Sequence, residues 1–343
     1  MAGLVLSGVL VTALAALYTA FHFRTHDHAE LQRATQHLLQ GETHWVTFQN
    51  RILGPWLIQS VCALTSWSWL RVFYLLVFGC MAAGGGLLVW RAWRRPQGAA
   101  YGLAQATGWF LLAYVFNDGW SYPWDFIGAL LNLMLVLWAF DRFHEAADLW
   151  SWPLLGLLVA LALNRESSLI ALVALFVAAV AAGVRSRHLA SARRALVALA
   201  AAGMANVVLI RLLRQELFVH STRPAAIGPA HELAMGNFMQ VRENFFLVAT
   251  SSETLLVRTV VLAIGSALLA FGVFLVRDAV RSWRGAGWSA AGCFGACYFW
   301  IACLAIALFA DMRELRVYFE LIPFIVVLAG RLVNSSDTST QPA

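Results

Sequence analysis

The chain has 343 residues, of which 61% are apolar and only 12% are charged, whereas soluble domains are about 45–50% apolar and about 25% charged. This composition excludes a soluble globular enzyme, a disordered chain and a nucleic-acid-binding protein. The net charge is +6 and all 24 basic side chains are arginine, which excludes a lysine nucleophile, a Schiff base and a Walker-type phosphate loop.

Apolar runs approaching the ~20 residues that cross a bilayer recur along the chain and predict an all-α fold, a polytopic transmembrane helical bundle. We expect a single transmembrane domain over residues 1–334 and a disordered polar tail over 335–343. The short apolar stretch 52–64 contains Pro55 and is expected to lie on the membrane or dip into it. The ten predicted membrane segments are 2–20, 70–90, 99–116, 124–140, 153–163, 168–184, 195–213, 255–276, 288–309 and 317–333.

Arginine clusters in short loops predict the orientation, because cytoplasmic loops are enriched in basic residues. With ten spans, both termini and all three clusters lie in the cytoplasm, and the protein resides in the cytoplasmic (inner) membrane. All but five of the 18 acidic residues then lie outside or near the outer helix ends, as do the long loops 21–51 and 214–253. An active site would therefore be extracytoplasmic. The clusters are Arg91, Arg94 and Arg95; Arg185, Arg187, Arg193 and Arg194; and Arg277, Arg281 and Arg284.

The stretch 153–184 is too long for one span, because about 32 residues make ~48 Å of helix against a ~30 Å hydrocarbon core. The sequence Asn-Arg-Glu-Ser-Ser interrupts it from residue 164. We therefore expect two segments, with Arg165 and Glu166 at the outer turn between them.

The first outer loop offers candidates for acid–base chemistry. Asp27 could be a general base that takes a proton from an acceptor hydroxyl, and Glu30 is the alternative base. The same two residues could instead form a capping box that starts a loop helix. His26 and His28 flank Asp27 and could join it at a divalent metal, although no cofactor is certain.

Two candidate substrate-binding residues begin apolar segments. Arg51 could hold a phosphate at the membrane interface or extend its head group to water as a snorkelling arginine. Asp125 could bind a sugar hydroxyl beside the stacking faces of Tyr122 and Trp124, or it could simply complement the helix dipole in the first turn.

Further charged candidates lie in two other outer turns. Arg165 and Glu166 split a hydrophobic stretch, where a charge needs a partner or a ligand. Arg165 could bind an anionic head group with Glu166 orienting it, or the two could form a structural ion pair. In the last turn, Arg313, Arg316 and Glu320 share helical spacing and Glu314 lies between them. This turn could bind a phosphate or diphosphate, or remain an internally paired charged surface.

These segments resemble a known family. The first-loop acid, Phe-Gln-Asn-Arg-Ile-Leu-Gly-Pro at 48–55, Tyr-Pro-Trp-Asp at 122–125, Asn-Arg-Glu-Ser at 164–167 and Arg-Glu-Leu-Arg at 313–316 resemble a widespread group of bacterial membrane proteins similar to the GT-C superfamily of glycosyltransferases. The resemblance implies a helical bundle with an extracytoplasmic site, a polyprenyl-phosphate-linked sugar donor, and a metal in only some members. The family's catalytic acid corresponds to Asp27, but this chain has histidines where better-known members have a second adjacent acid.

The function expected from the residues and the resemblance together is sugar transfer, with inversion, to an envelope glycan, lipid or protein acceptor. The partners are then the lipid-linked donor, membrane lipids and that acceptor, with no nucleic acid. Two other functions fit the same pattern. A flippase or transporter would move a lipid-linked or anionic solute, and a polysaccharide polymerase or ligase would use a diphosphate-linked oligosaccharide.

Overall fold

A computed structural model describes residues 2–25, 28–40, 51–95, 98–117, 121–143, 151–165, 168–186, 189–217, 255–284, 289–310, 312 and 314–337. These residues are almost entirely helical and contain no β-strand, which confirms the all-α prediction. The helices are α1 (Ala2–Thr25), α2 (His28–Leu39), α3 (Leu53–Thr65), α4 (Trp69–Trp93), α5 (Gly98–Val115), α6 (Pro123–Arg142), α7 (Trp152–Asn164), α8 (Ser168–Ser186), α9 (Leu189–Leu217), α10 (Leu255–Arg284), α11 (Ala290–Phe309), a 3-10 helix (Leu315–Leu321) and α12 (Ile322–Asp337).

Side chains that accept hydrogen bonds from unsatisfied backbone N–H groups set several helix starts. Ser68, Ser151 and Ser289 each cap the helix that follows and accept from the backbone N–H three residues ahead. Proline occupies the first turn of α6 and α7, where its missing N–H costs nothing. The membrane helices thus begin at sequence signals that soluble helices also use.

Seven of the described helices are long and apolar enough to cross a membrane, and two more, Leu53–Thr65 and Trp152–Asn164, are apolar but shorter. Together with the composition, they indicate a multi-pass membrane protein. The predicted number of ten spans is not confirmed. Three of the ten predicted segments fall on helices outside the group of seven: α5, the 13-residue α7, and the 16-residue α12 with its 3-10 lead. The seven are Gly3–Thr25, Trp69–Trp93, Pro123–Arg142, Ser168–Arg185, Arg193–Leu213, Leu256–Trp283 and Ala290–Phe309.

Helix α6 lies at the centre of the bundle, where it contacts α3, α4, α7, α11, α12 and the 3-10 helix. Most of its side chains are buried. By contrast, α9 and α10 expose large apolar side chains such as Met204, Val207 and Phe274. Because exposing large apolar side chains to water is unfavourable, we expect these faces of α9 and α10 to contact lipid.

Side-chain contacts define two ends of the bundle. At one, which we call the polar end, the start of α6 meets the end of α7 and the 3-10 helix. At the other, the arginine end, Arg91 at the end of α4 pairs with Asp141 at the end of α6. Arg185 at the end of α8 also donates there to the carbonyl of Trp283 near the end of α10.

The segment around residues 153–184 forms two helices as predicted. Helix α7 ends at Asn164 and α8 begins at Ser168, so Arg165 lies in the turn at the polar end. Helix α3 also belongs to this end. It begins where Ile52 donates its N–H to the carbonyl of Leu163, 3.1 Å away, and only three residues separate it from the start of α4. Since both of its ends lie at the polar end, α3 does not cross the bundle.

Much of the two long loops lies outside the described residues, as does the tail beyond residue 337. The prediction of a disordered tail and the extent of both loops therefore stay predictions, as does the single-domain boundary at residue 334.

Candidate functional site

Four of the segments singled out in the sequence meet at the polar end. The guanidinium of Arg51 lies 5.9 Å from the centre of the Trp124 ring. Asp125 and Glu320 both contact Arg165, and the Arg316 guanidinium lies over the Tyr122 ring at 4.9 Å. The residues in these contacts are distributed along the chain from position 51 to position 320. The tertiary structure thus assembles one cluster from scattered short motifs.

The centre of the cluster is an arginine between two carboxylates. Arg165 places Nη1 2.9 Å from Asp125 Oδ1 and Nε 3.0 Å from Glu320 Oε1. The side chains of Asp125 and Glu320 are only 1% and 9% exposed, and that of Arg165 is 13% exposed. Charges this far from water need close opposite partners, so the three side chains fix one another's positions.

Asp125 has a second contact that follows from its place in α6. It is the third residue of the helix, and its Oδ2 accepts the Tyr122 backbone N–H at 2.8 Å while its own N–H donates to the Tyr122 carbonyl. This reciprocal arrangement satisfies backbone groups at the helix start. Both carboxylate oxygens are engaged within the protein, which favours the structural alternative for Asp125. A sugar contact by Asp125 stays a prediction.

Arg316 forms the outer layer of the cluster. Its Nη2 lies 2.7 Å from Glu314 Oε2. The ring of Tyr122 stacks on Trp124 with the centres 4.4 Å apart. Burial alone would lower the pKa of the Arg316 guanidinium, but the carboxylates of Asp125 and Glu314 outweigh it and raise that pKa. Arg316 therefore stays charged, and burial raises the pKa of the Tyr122 phenol beside it.

The described residues of the last turn do not form the α-helical face that was predicted for Arg313, Arg316 and Glu320. The segment is a 3-10 helix with three residues per turn. Glu320 contacts Arg165, whereas Arg316 contacts Glu314 and Tyr122. The two side chains thus have different partners within one cluster, and Arg313 lies outside the described residues.

Asn164 ties the end of α7 to the start of α6. Its Nδ2 donates to the Trp124 carbonyl at 2.9 Å, while its Oδ1 is buried without a hydrogen-bond partner among the described residues. A Cβ atom on Gly128 would lie 2.9 Å from that Nδ2. The missing side chain of Gly128 therefore lets the amide approach α6 closely.

The first-loop helix α2 packs at the same end. His28 Nε2 lies 2.8 Å from the Phe23 carbonyl oxygen, and the His22 ring lies 5.0 Å from Phe126, the residue after Asp125. Glu30, the alternative base, is 2.8 Å from Arg33 of its own helix. The loop thus lies beside α6, but Glu30 is held in a local ion pair.

The other first-loop candidates, His26 and Asp27, lie outside the described residues, as does Glu166. Within the described part of the chain, no group of three His, Cys, Asp or Glu side chains could hold a metal. The base assignment to Asp27 and the metal role of His26 and His28 stay predictions.

A buried polar pair deeper in the bundle was not predicted from the sequence. The Tyr298 hydroxyl donates to Asn132 Oδ1 at 3.2 Å, and Asn132 Nδ2 is buried without a partner in the described part. Asn132 lies seven residues beyond Asp125 on α6, which places it ~10 Å further into the bundle at 1.5 Å per residue. The sequence signal for this pair was Asn132 itself, a single amide side chain within the apolar run of α6.

No protein-family model, no curated protein and no solved structure matches this chain.

Proposed function

We propose that this protein is a GT-C-like membrane glycosyltransferase. It transfers a sugar from a polyprenyl-phosphate-linked donor to an envelope glycan, lipid or protein acceptor, with inversion, at the polar end of the bundle. The observation that carries the proposal is the convergence of the segments around Arg51, Asp125, Arg165 and Arg316, the segments on which the family resemblance depends.

The sidedness belongs to the same proposal. The arginine end carries the basic clusters of short loops, which the positive-inside rule assigns to the cytoplasm. The cluster then faces the extracytoplasmic side, where a lipid-linked donor would present its sugar at the membrane surface.

Charge counting in the cluster indicates how a phosphate would bind. Among the described residues of the cluster, three arginines (Arg51, Arg165 and Arg316) accompany three carboxylates (Asp125, Glu314 and Glu320), and the carboxylates contact Arg165 and Arg316. In this proposal a donor phosphate therefore replaces one of these carboxylates. Glu314 is the candidate, because its side chain is 43% exposed and exposed ion pairs contribute little stability.

In this mechanism the phosphate takes the place of Glu314 on Arg316, where a guanidinium can bind two phosphate oxygens. The first-loop carboxylate, Asp27 or Glu30, accepts the proton of the acceptor hydroxyl while the oxygen of that hydroxyl attacks the anomeric carbon. The bond to the phosphate oxygen breaks, and Arg316 stabilises the negative charge on the departing phosphate. Arg165, held by Asp125 and Glu320, is a positioning residue that keeps the start of α6 and the end of the 3-10 helix together.

The test measures release of label from radiolabelled polyprenyl-phosphate sugars by membranes that contain the full chain. Wild type is compared with Arg316→Gln and Glu314→Gln. We expect Arg316→Gln to lower the release rate about 100-fold, the loss typical of removing one charge-stabilising donor. Glu314→Gln should keep or raise the rate, because it frees Arg316 for the phosphate.

Arg71→Gln is the matched control, since Arg71 is an exposed arginine at the polar end that stacks on Trp67 outside the cluster. It should leave the release rate unchanged. The proposal fails if wild type consumes none of the donors, or if folded Arg316→Gln is as active as Arg71→Gln.

A further inference from the structure

A groove at the outer surface of α10 and α11 has no part in the proposed reaction. It measures about 620 Å³ and lies on the side of the molecule where α10 exposes apolar residues. Its lining combines three valines and two arginines of α10 with one tryptophan of α11: Val273, Val276, Val280, Arg277, Arg281 and Trp300.

The groove has an apolar part at membrane depth. Val273 and Val276 are about half exposed and lie on one face of a candidate membrane span, Leu256–Trp283. Trp300 forms the wall, and its indole Nε1 donates to the Gly272 carbonyl at 3.3 Å. A Cβ atom on Gly272 would lie 2.5 Å from that ring, so the glycine lets the indole lie against α10.

The groove also has a cationic part nearer the arginine end. Arg277 and Arg281 are exposed, lie one helical turn apart on the face of the valines, and have no carboxylate partner within the described residues. The nearby Asp278 is instead 3.9 Å from Arg331 on α12. Arg277 is seven residues before the end of α10, ~10 Å along the helix, which is a depth suited to lipid head groups.

We propose that this groove binds an anionic phospholipid of the surrounding membrane, with its phosphate between Arg277 and Arg281 and an acyl chain along Val273, Val276 and Trp300. Guanidinium groups bind phosphate oxygens bidentately, and the valine surface needs an apolar cover. A soluble anion would leave the valines uncovered. A second copy of the chain would place its own basic end against Arg277 and Arg281, and the like charges would repel.

The experiment titrates the purified full-length protein in detergent with phosphatidylglycerol or phosphatidylcholine and follows bound lipid by native mass spectrometry. The double variant Arg277→Gln/Arg281→Gln should bind phosphatidylglycerol roughly 30-fold more weakly than wild type, since each arginine near an anionic lipid contributes about 1 kcal/mol. Wild type should favour phosphatidylglycerol over phosphatidylcholine.

The matched control is Arg193→Gln/Arg194→Gln, which removes two exposed arginines of α9 near the same end without touching the groove. It should retain phosphatidylglycerol binding. Equal loss in both double variants would overturn the proposal, because binding would then follow net charge alone. So would equal binding of phosphatidylcholine, competition by glycerol phosphate as strong as that by the lipid, or a protein dimer that the lipid does not displace.

This inference does not depend on the proposed reaction. The groove lies towards the arginine end, and its variants leave Arg165 and Arg316 untouched, so either proposal can fail alone.

Discussion

The two ends of the bundle pair arginine with carboxylates of very different exposure. At the polar end, Arg165 is 13% exposed and lies between two buried carboxylates from different helices. At the arginine end, Arg95 and its partner Asp141 are 37% and 39% exposed, and Arg94 stacks on Trp90 beside them. Arginine thus links helices at both ends, since Arg91 of α4 also pairs with Asp141 of α6, but only at the polar end are the carboxylate partners buried.

The difference shows how local context sets the cost of a charge. An exposed arginine keeps its hydration, so it needs no partner and can contribute to orientation by number alone. A buried arginine loses that hydration and must have matched carboxylates. Arg91 and Arg95 also contact Asp141 of α6, but that carboxylate is 39% exposed, whereas both carboxylates at the polar end are buried. For that reason the polar end is the better candidate for a precise binding site.

The largest expected effect is all-or-none and concerns sidedness. In a background without the five cysteines, we introduce Trp67→Cys at the polar end or Arg94→Cys at the arginine end, both at exposed positions. A membrane-impermeant maleimide added to intact cells should label the first and not the second, because a membrane separates the two ends. Labelling of both after permeabilisation is the control, and a reversed pattern would reverse the proposed orientation.

The next effect concerns stability. Arg165→Ala leaves two buried carboxylates without their counter-charge and should lower the free energy of unfolding by about 3–5 kcal/mol, as measured by denaturant titration in detergent. Arg95→Ala at the arginine end should cost at most about 1 kcal/mol, because that pair is exposed.

A second variant tests whether this loss is electrostatic. Glu320→Gln in the Arg165→Ala background should recover part of the stability, since it removes one of the two unpaired charges. If Arg165→Ala and Arg95→Ala cost the same, the distinction between the two ends does not hold energetically.

The smallest effect concerns packing beneath the cluster. Gly128→Ala would place a methyl group 2.9 Å from Asn164 Nδ2 and should lower the melting temperature, at a cost of about 1–3 kcal/mol for overpacking. Gly156→Ala on α7 would add a methyl group with no described neighbour within 4 Å. This variant should be neutral or stabilising, because alanine stabilises a helix relative to glycine by up to about 1 kcal/mol. A loss as large in Gly156→Ala would show that the close approach of Asn164 is unimportant.

The sequence predicted much of the helical framework, because apolar runs and capping residues act locally. The break at Arg165 and the non-crossing position of α3 were both expected, and α6 begins one residue before the predicted segment 124–140. The number of spans did not follow from the sequence, because α7 has only 13 residues and length alone does not determine whether so short a helix crosses a membrane.

The candidate site was predicted in part. Arg165, Asp125 and Arg316 were expected to contribute, and pairing within the last turn, as between Arg316 and Glu314, was one of the alternatives. The contacts of Arg165 with Asp125 and Glu320 were not predicted. Glu320 contacts Arg165 from near the end of the 3-10 helix, and Asn132 meets Tyr298 of α11. Such pairs depend on which helices become neighbours, and no periodicity along one helix contains that information.

The sequence by itself therefore determined the class of this protein: an all-helical chain suited to a membrane, with basic clusters in its short loops. Hydropathy and charge are properties of single residues and short windows, so they can be read from the order of the amino acids. Only the tertiary structure decided that Asp125, Arg165 and Glu320 form one buried unit. Their pairing across 40 and 155 positions of the chain depends on which helices pack together, because burial makes each charge require the other two as partners.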